Sequence, residues 1–176
     1  RPIRLQKEVN AKTLELKELA FKDPLTGLPN RRFLNDHFPN IIQEIVSNKS
    51  LGAFIYFDLD NFKSINDSIG HDVGDQMLIS IAERLGQNKD HDDIVLRLGG
   101  DEFAIIVPNL VSREELKRKA EAILHNTQQS LSIRHRDFKQ STSLGITLIP
   151  EHGTQVLELM QYADVALYEA KRRGKN

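Results

Sequence analysis

Apolar residues in the first twenty positions recur at helical spacing. Leu5, Val9, Leu16 and Leu19 fall on a and d positions of a heptad, with Lys12 as the exception and Pro2 at the edge. The pattern predicts the last turns of a helical stalk over residues 1–22. It is compatible with a two-stranded coiled coil and equally with a single amphipathic helix lying on its own domain. Asp23-Pro24 interrupts it, because the residue before proline is pushed away from helical geometry. The segment through Pro29-Asn30 then turns the chain into a globular part over residues 23–176. Helical spacing predicts a helix from about Arg32 to Ser47. Ala53-Phe54-Ile55-Tyr56-Phe57 is an apolar, β-rich run of the kind found in a central buried strand. A second helix is predicted over Gln76–Leu85, and two strand-like runs, Ile94–Leu96 and Phe103–Val107, form a hairpin. A charged amphipathic helix over Arg113–Asn126, a strand over Ser141–Leu148 and a helix over Thr154–Arg172 complete the chain.

This order predicts an α/β sandwich: a central, mostly antiparallel sheet with flanking helices, preceded by the helical stalk. A chain of 176 residues has the length to bury a core as one domain. Lys+Arg of 24 against Asp+Glu of 25 gives a net charge of −1. That balance argues against bulk nucleic-acid binding, which shows as a basic excess, but it leaves room for a local cationic cluster serving a small anionic ligand. No cysteine is present, so disulfide frameworks and thiolate metal sites are excluded, which fits a reducing, cytoplasmic setting. No apolar run approaches the roughly 18 residues that span a bilayer, and no signal peptide is visible. The chain opens on Arg1, and the expectation is a fragment of a longer protein, the cytoplasmic part of a membrane-bound parent being one form of it.

Between the two strands of the hairpin lies Arg97-Leu98-Gly99-Gly100-Asp101-Glu102-Phe103. Glycine permits the positive φ of a tight turn and lets a bulky ligand approach the backbone. Adjacent acids beside that space suit a magnesium–phosphate site, because Mg²⁺ takes hard oxygen ligands. For an isolated Gly-Gly-Asp-Glu a solvated acidic tip would be the simpler account. Four further blocks remove that isolation. They are Asp23-Pro24-Leu25-Thr26-Gly27-Leu28-Pro29-Asn30-Arg31-Arg32, Phe57-Asp58-Leu59-Asp60-Asn61-Phe62-Lys63-Ser64-Ile65-Asn66-Asp67, Gly70-His71-Asp72-Val73-Gly74-Asp75 and Ala163-Asp164-Val165-Ala166-Leu167-Tyr168-Glu169-Ala170-Lys171. Together, and in this order, they resemble the GGDEF domain family, the diguanylate cyclases. The resemblance implies the palm-like fold of nucleotidyl cyclases and the condensation of two GTP to cyclic di-GMP.

Asp58 ends the first strand, and in the inferred sheet it comes to the hairpin tip with Asp101 and Glu102. Three acids so close repel one another unless a cation neutralises them. The resemblance implies that Asp58, Glu102 and the Leu59 carbonyl hold Mg²⁺ (or Mn²⁺), two ions per site, with Asp101 also assisting the metal and the attacking 3′-hydroxyl. Asp60 reads as a structural ion pair rather than a ligand. Asn61-Phe62-Lys63 opens a helix whose backbone N–H groups favour phosphate, and Lys63 adds a point charge, which makes it a third candidate catalytic residue beside Asp101 and Glu102. The resemblance assigns Asn66 and Asp75 to the guanine edge, where a carboxylate and an amide complement N1–H and the exocyclic amine. Gly70 and Gly74 read as turn glycines, and His71 as a structural hydrogen-bonder. Lys171 and Lys175 are implied to reach the terminal phosphates of GTP. Lys175 stands where the family often has arginine and so lacks the bidentate fork.

Many members of the family carry an inhibitory Arg-x-x-Asp site upstream of the glycines. Here that stretch is Asp90-His91-Asp92-Asp93: Asp93 is retained, and Asp90 replaces the arginine. A dinucleotide arriving there would meet three carboxylates. Each domain holds one GTP, so the reaction implies two domains facing each other, at least a transient homodimer. The rival reading is a GTP-binding regulatory module joined to a downstream cyclic di-GMP phosphodiesterase (EAL-type) domain. A dimerising adaptor without nucleotide is a third, and it leaves the acidic residues without a role.

Overall fold

The computed structural model describes residues 2–174. Twelve elements follow one another: α1 Pro2–Ala20, α2 Arg31–Ser47, β1 Leu51–Leu59, α3 Phe62–Ile69, α4 His71–Asn88, β2 Ile94–Gly99, β3 Glu102–Leu110, α5 Arg113–Gln128, β4 Leu131–Ile133, β5 Arg136–Phe138, β6 Thr142–Ile149 and α6 Val156–Arg172. Strands β2-β3-β1-β6 form one antiparallel sheet in that order, and β4-β5 form a separate hairpin. The palm-like α/β arrangement expected from the sequence is present.

β1 reads as an unbroken apolar run because both of its faces are covered. Ala53, Ile55, Phe57 and Leu59 point to one face and pack with Phe62, Met77 and Ile81 of α3 and α4 and with Ile123 of α5. Phe54 and Tyr56 point to the other and pack with Leu34, Phe38 and Ile42 of α2 and Leu159 and Ala163 of α6. Side chains alternate across a strand with period two, so Asp58 must emerge on the α2/α6 face. On β3 the same alternation places Glu102 there too, since Phe103, Ile105 and Val107 belong to the first face and Ala104 and Ile106 to the second. Each large side chain buried in these two layers contributes about 1.5–3 kcal/mol.

Gly145 on β6 sets the approach of α6. A Cβ at this position would lie 2.0 Å from the Ala163 carbonyl oxygen and 2.7 Å from the Leu167 nitrogen. Only glycine lets the helix lie this close to the sheet, and that closeness brings Lys171, at its last turn, over the end of β1.

Two elements differ from the sequence reading. α4 begins at His71 rather than Gln76, because Gly70, at φ 115°, makes the turn alone. Gly74 therefore lies inside a helix and is not a turn glycine: a Cβ there would fall 1.8 Å from Asn66 Oδ1, so it is the seat of α3 against α4. The β4-β5 hairpin is an addition, with Leu131 and Ile133 buried in the first layer. Among the described residues no helix is long and apolar enough to cross a membrane.

Candidate active site

Asp58 is paired in register with Glu102 on one side and Ser143 on the other. The β2-β3 turn consists of Gly100 and Asp101, closed by Gly99 opposite Glu102. Gly99 and Gly100 adopt φ of 143° and 50°, which confirms the need for glycine there. Asp101 therefore sits at the tip and Glu102 on the first residue of the strand. All three acids lie at one end of the sheet and all are partly exposed. The cluster is looser than the sequence suggested: among the described residues no three acidic or histidine side chains stand close enough to hold a metal ion together.

The cation found at this point is Lys171. Its Nζ lies 2.5 Å from Asp58 Oδ1 and 3.9 Å from Asp60 Oδ1. The Asp58 contact is a close ion pair, and Oδ1 is buried with Lys171 as its partner among the described residues. Asp60 is only 3% exposed and is held by hydroxyls: Ser141 Oγ donates to Oδ2 at 2.8 Å and Ser143 Oγ to Oδ1 at 3.1 Å. The reading of Asp60 as structural rather than ligating fits this burial, with serines as the main partners.

Burial pushes the Asp58 carboxyl above its ordinary range; Lys171 opposes that shift, while Asp60 and Glu102 add to it. Asp101 is raised by burial and by the charge of Asp58. Burial and then a hydrogen bond to Glu102 raise the Tyr56 phenol as well. Asp58 and Glu102 face each other in register as hard oxygen donors, and Asp58 Oδ1 is buried. One or two carboxylates completed by substrate phosphates and water are what magnesium or manganese takes, so the residues present fit such an ion.

Several supporting residues were not singled out from sequence. Arg97 lies at the centre: Nη1 donates to Asp23 Oδ1 at 2.8 Å and Oδ2 at 3.0 Å, while Nε and Nη2 donate to the Gly100 carbonyl at 3.0 and 2.8 Å. It therefore ties the glycine turn between β2 and β3 to the 21–30 loop. Asp23 also accepts from the Thr26 amide and hydroxyl. Both Asp23 and Arg97 stood inside the motifs recognised in the sequence, but neither motif shows that the two meet. Arg31, at the start of α2, approaches Glu102 at 3.5 Å.

On the other side of β1, Asn66 is half-buried with Oδ1 unpartnered and directed at Gly74, and Asp75, one residue on, is exposed. The α3-α4 turn thus brings the two proposed guanine contacts into one region. Lys63 is exposed on the first turn of α3. The Phe62 side chain is core, 6% exposed, so its backbone is the part that can face a ligand. His71 is corrected, being exposed with no hydrogen bond to its ring among the described residues. Lys175 lies outside the described residues.

The stretch from Asp90 to Asp93 is not the bare acidic patch that the sequence implied. Lys119 of α5, 7% exposed, pairs with Asp90 and lies 2.5 Å from Asp93 Oδ2; Arg118 adds a contact to Asp90 at 3.7 Å. Lys119 holds the Asp90 carboxyl below its ordinary range, whereas burial leaves Asp93 raised. α5 supplies the positive charge, and its packing against this turn could not be read from Asp90-His91-Asp92-Asp93 alone.

The family described as "Diguanylate cyclase, GGDEF domain" matches residues 20–176. The bifunctional diguanylate cyclase/cyclic di-GMP phosphodiesterase MucR of Pseudomonas aeruginosa is 40% identical over 164 residues, 92% of this chain and 24% of that protein. A solved GGDEF domain of TpbB (YfiN) from the same organism superposes with a TM-score of 0.84 at 35% identity, over 88% of this chain and 90% of that one. The coiled coil and GGDEF domain of DgcB from Caulobacter crescentus, solved with cyclic di-GMP, gives a TM-score of 0.88 at 25% identity, over 99% and 92%. The chain spans about a quarter of MucR. With the family model matched over residues 20–176 and the fold shared with solved GGDEF domains, this chain belongs to the GGDEF domain family.

Proposed function

We propose that this domain is a diguanylate cyclase that condenses two GTP into cyclic di-GMP and releases two pyrophosphates. The observation that carries the reading is the register pairing of Asp58 with Glu102 at the sheet end where the Asp101 turn lies, with Lys171 on Asp58. Asp58, Glu102 and the Leu59 carbonyl would hold Mg²⁺ or Mn²⁺, two per site, with Asp101 beside them. When bound, such ions polarise the α-phosphate and lower the pKa of the 3′-hydroxyl. Glu102 is positioned by Arg31 and Tyr56, and Asp101 by the turn that Arg97 fastens. Lys63 and Lys171 supply positive charge to the triphosphate, with Lys175 in the same role. Asn66 and Asp75 read the guanine edge, with the α3 backbone at Phe62 below the phosphates. Each site takes one GTP, so two domains must face each other, and the work is positioning and charge neutralisation. Its setting in this reading is the cytoplasm, in a longer protein with sensor domains.

Incubating the purified chain with GTP and Mg²⁺ should yield cyclic di-GMP and pyrophosphate. Asp101→Asn and Glu102→Gln should each abolish product while retaining the circular-dichroism spectrum of the parent. Undiminished product in both variants would remove the mechanism. A likeness to the cyclic di-GMP phosphodiesterase PdeR of Escherichia coli, 38% identical over 160 residues, favours a second reading, a GTP-binding regulatory module attached to a phosphodiesterase. Tight GTP binding with no conversion at any protein concentration would select it.

A further inference from the structure

We propose that Lys171 is a built-in counter-cation that occupies Asp58 and is displaced when a divalent cation binds, with Asp60 as its second station. The inference rests on the metal–nucleotide reading of this site and deepens it.

Three observations carry it. The ammonium stands 2.5 Å from Asp58 Oδ1, so it fills the space in front of the oxygen that a metal ion would need. That oxygen is buried, and among the described residues the cation that compensates it is Lys171. The second carboxylate, Asp60, is fixed by Ser141 and Ser143 and lies 3.9 Å from the same nitrogen. A lysine is a compact charge on a flexible stem with rotatable donors. It can leave one carboxylate for another a short swing away without repacking α6, whose approach to β6 is fixed at Gly145.

The arrangement has a consequence for the order of events. With Lys171 on Asp58 the acidic end of the sheet is not left uncompensated, so the domain folds without metal. A divalent cation arriving alone must compete with the ammonium, which weakens its apparent affinity. A triphosphate arriving with the metal offers Lys171 another anionic partner. Metal and nucleotide therefore bind with positive coupling, because one takes the carboxylate and the other takes the displaced lysine.

The test uses Mn²⁺ alone, titrated into the protein and followed by electron paramagnetic resonance of the free ion, with no nucleotide present. Lys171→Met and Lys171→Gln should bind Mn²⁺ about 2- to 5-fold tighter than the parent, the worth of a partly exposed ion pair. Lys171→Arg, which keeps the charge, should stay near the parent. Neutral variants that bind no tighter, or more weakly, would overturn the proposal. Because no turnover is measured, the outcome is separate from the cyclase reading. A chain that makes no product yet shows tighter Mn²⁺ binding in the neutral variants keeps the lysine exchange and loses the enzyme.

Discussion

At Asp23 a single carboxylate receives two hydrogen bonds from Thr26 and both arms of one Arg97 nitrogen. Burial opposes its ionisation, but the Thr26 hydrogen bonds and the Arg97 guanidinium outweigh burial, and the carboxyl is held below its ordinary value. An acid lowered on folding stabilises the fold above its unfolded pKa, about 3.9 for Asp, and that stabilisation is lost as pH falls through the folded value. Asp23→Asn should therefore cost about 2–3 kcal/mol at neutral pH, since it leaves a nearly buried guanidinium without its charged partner. Denaturant melts of the two proteins should converge as pH falls below the ordinary carboxyl range. A stability gap that stays constant through that window would show that the ion pair is not its source. Arg97 also fastens Gly100, so the same variant should lower product formation by loosening the turn that carries Asp101.

Among the elements, α5 contributes most that sequence reasoning did not foresee. Lys119 is buried between Asp90 and Asp93, so it locks α5 to the turn before β2. Removing one member of a buried pair strands the other charges, and Lys119→Met should destabilise the domain by roughly 3 kcal/mol in guanidinium unfolding. A loss under about 1 kcal/mol would show the contact to be no stronger than an exposed pair. The same contact changes the argument about cyclic di-GMP at this place. Repulsion by three carboxylates no longer carries it, because Lys119 and Arg118 compensate them. What remains is that Asp90 provides no guanidinium fork for a phosphate and that the buried lysine is already engaged. Calorimetric titration should show no submicromolar product binding; such binding, lost on changing Asp93, would refute this.

The elements show where sequence was legible. β1, the β2-β3 turn and the final helix follow from short-range signals: an apolar run, two glycines needing positive φ, and apolar positions at helical spacing. The Asp58–Glu102 meeting was inferable because strand ends and a hairpin tip leave few arrangements. Contacts between distant segments were not legible. Nothing local says that Arg97 reaches Asp23, that Lys119 reaches Asp93, or that Lys171 lies on Asp58. The β4-β5 hairpin escaped for another reason. Its strands have three residues each, and Arg134 and His135 take φ of 52° and 64° at the turn without a glycine to mark it. The burial of the Phe62 ring beneath β1 was not legible either, because its neighbours are polar.

At the scale of the whole molecule, the proposed function requires two sites to face each other. α1 presents Leu5, Val9, Leu16 and Leu19 to solvent at 63, 53, 67 and 71% exposure. This settles one alternative left by the heptad pattern: in this chain the apolar stripe does not lie on its own domain. An exposed stripe at coiled-coil spacing is suited to pairing with a second copy, which would raise the effective concentration of the second half-site. So few heptads pair weakly, and the stripe is broken by Lys12. Product formation per molecule should therefore rise with protein concentration over the range where the chain passes from monomer to dimer. Deleting residues 1–19 should depress the rate strongly at low concentration and less at high concentration, because the half-sites themselves are intact. The deletion leaves Asp23, Arg97 and the glycine turn in place, so the melting temperature should stay near that of the parent, and a large drop in it would assign the loss to stability instead. Sedimentation run beside the assay decides the matter: specific activity that stays flat across a dilution series in which the protein is monomeric throughout would contradict catalysis between two domains.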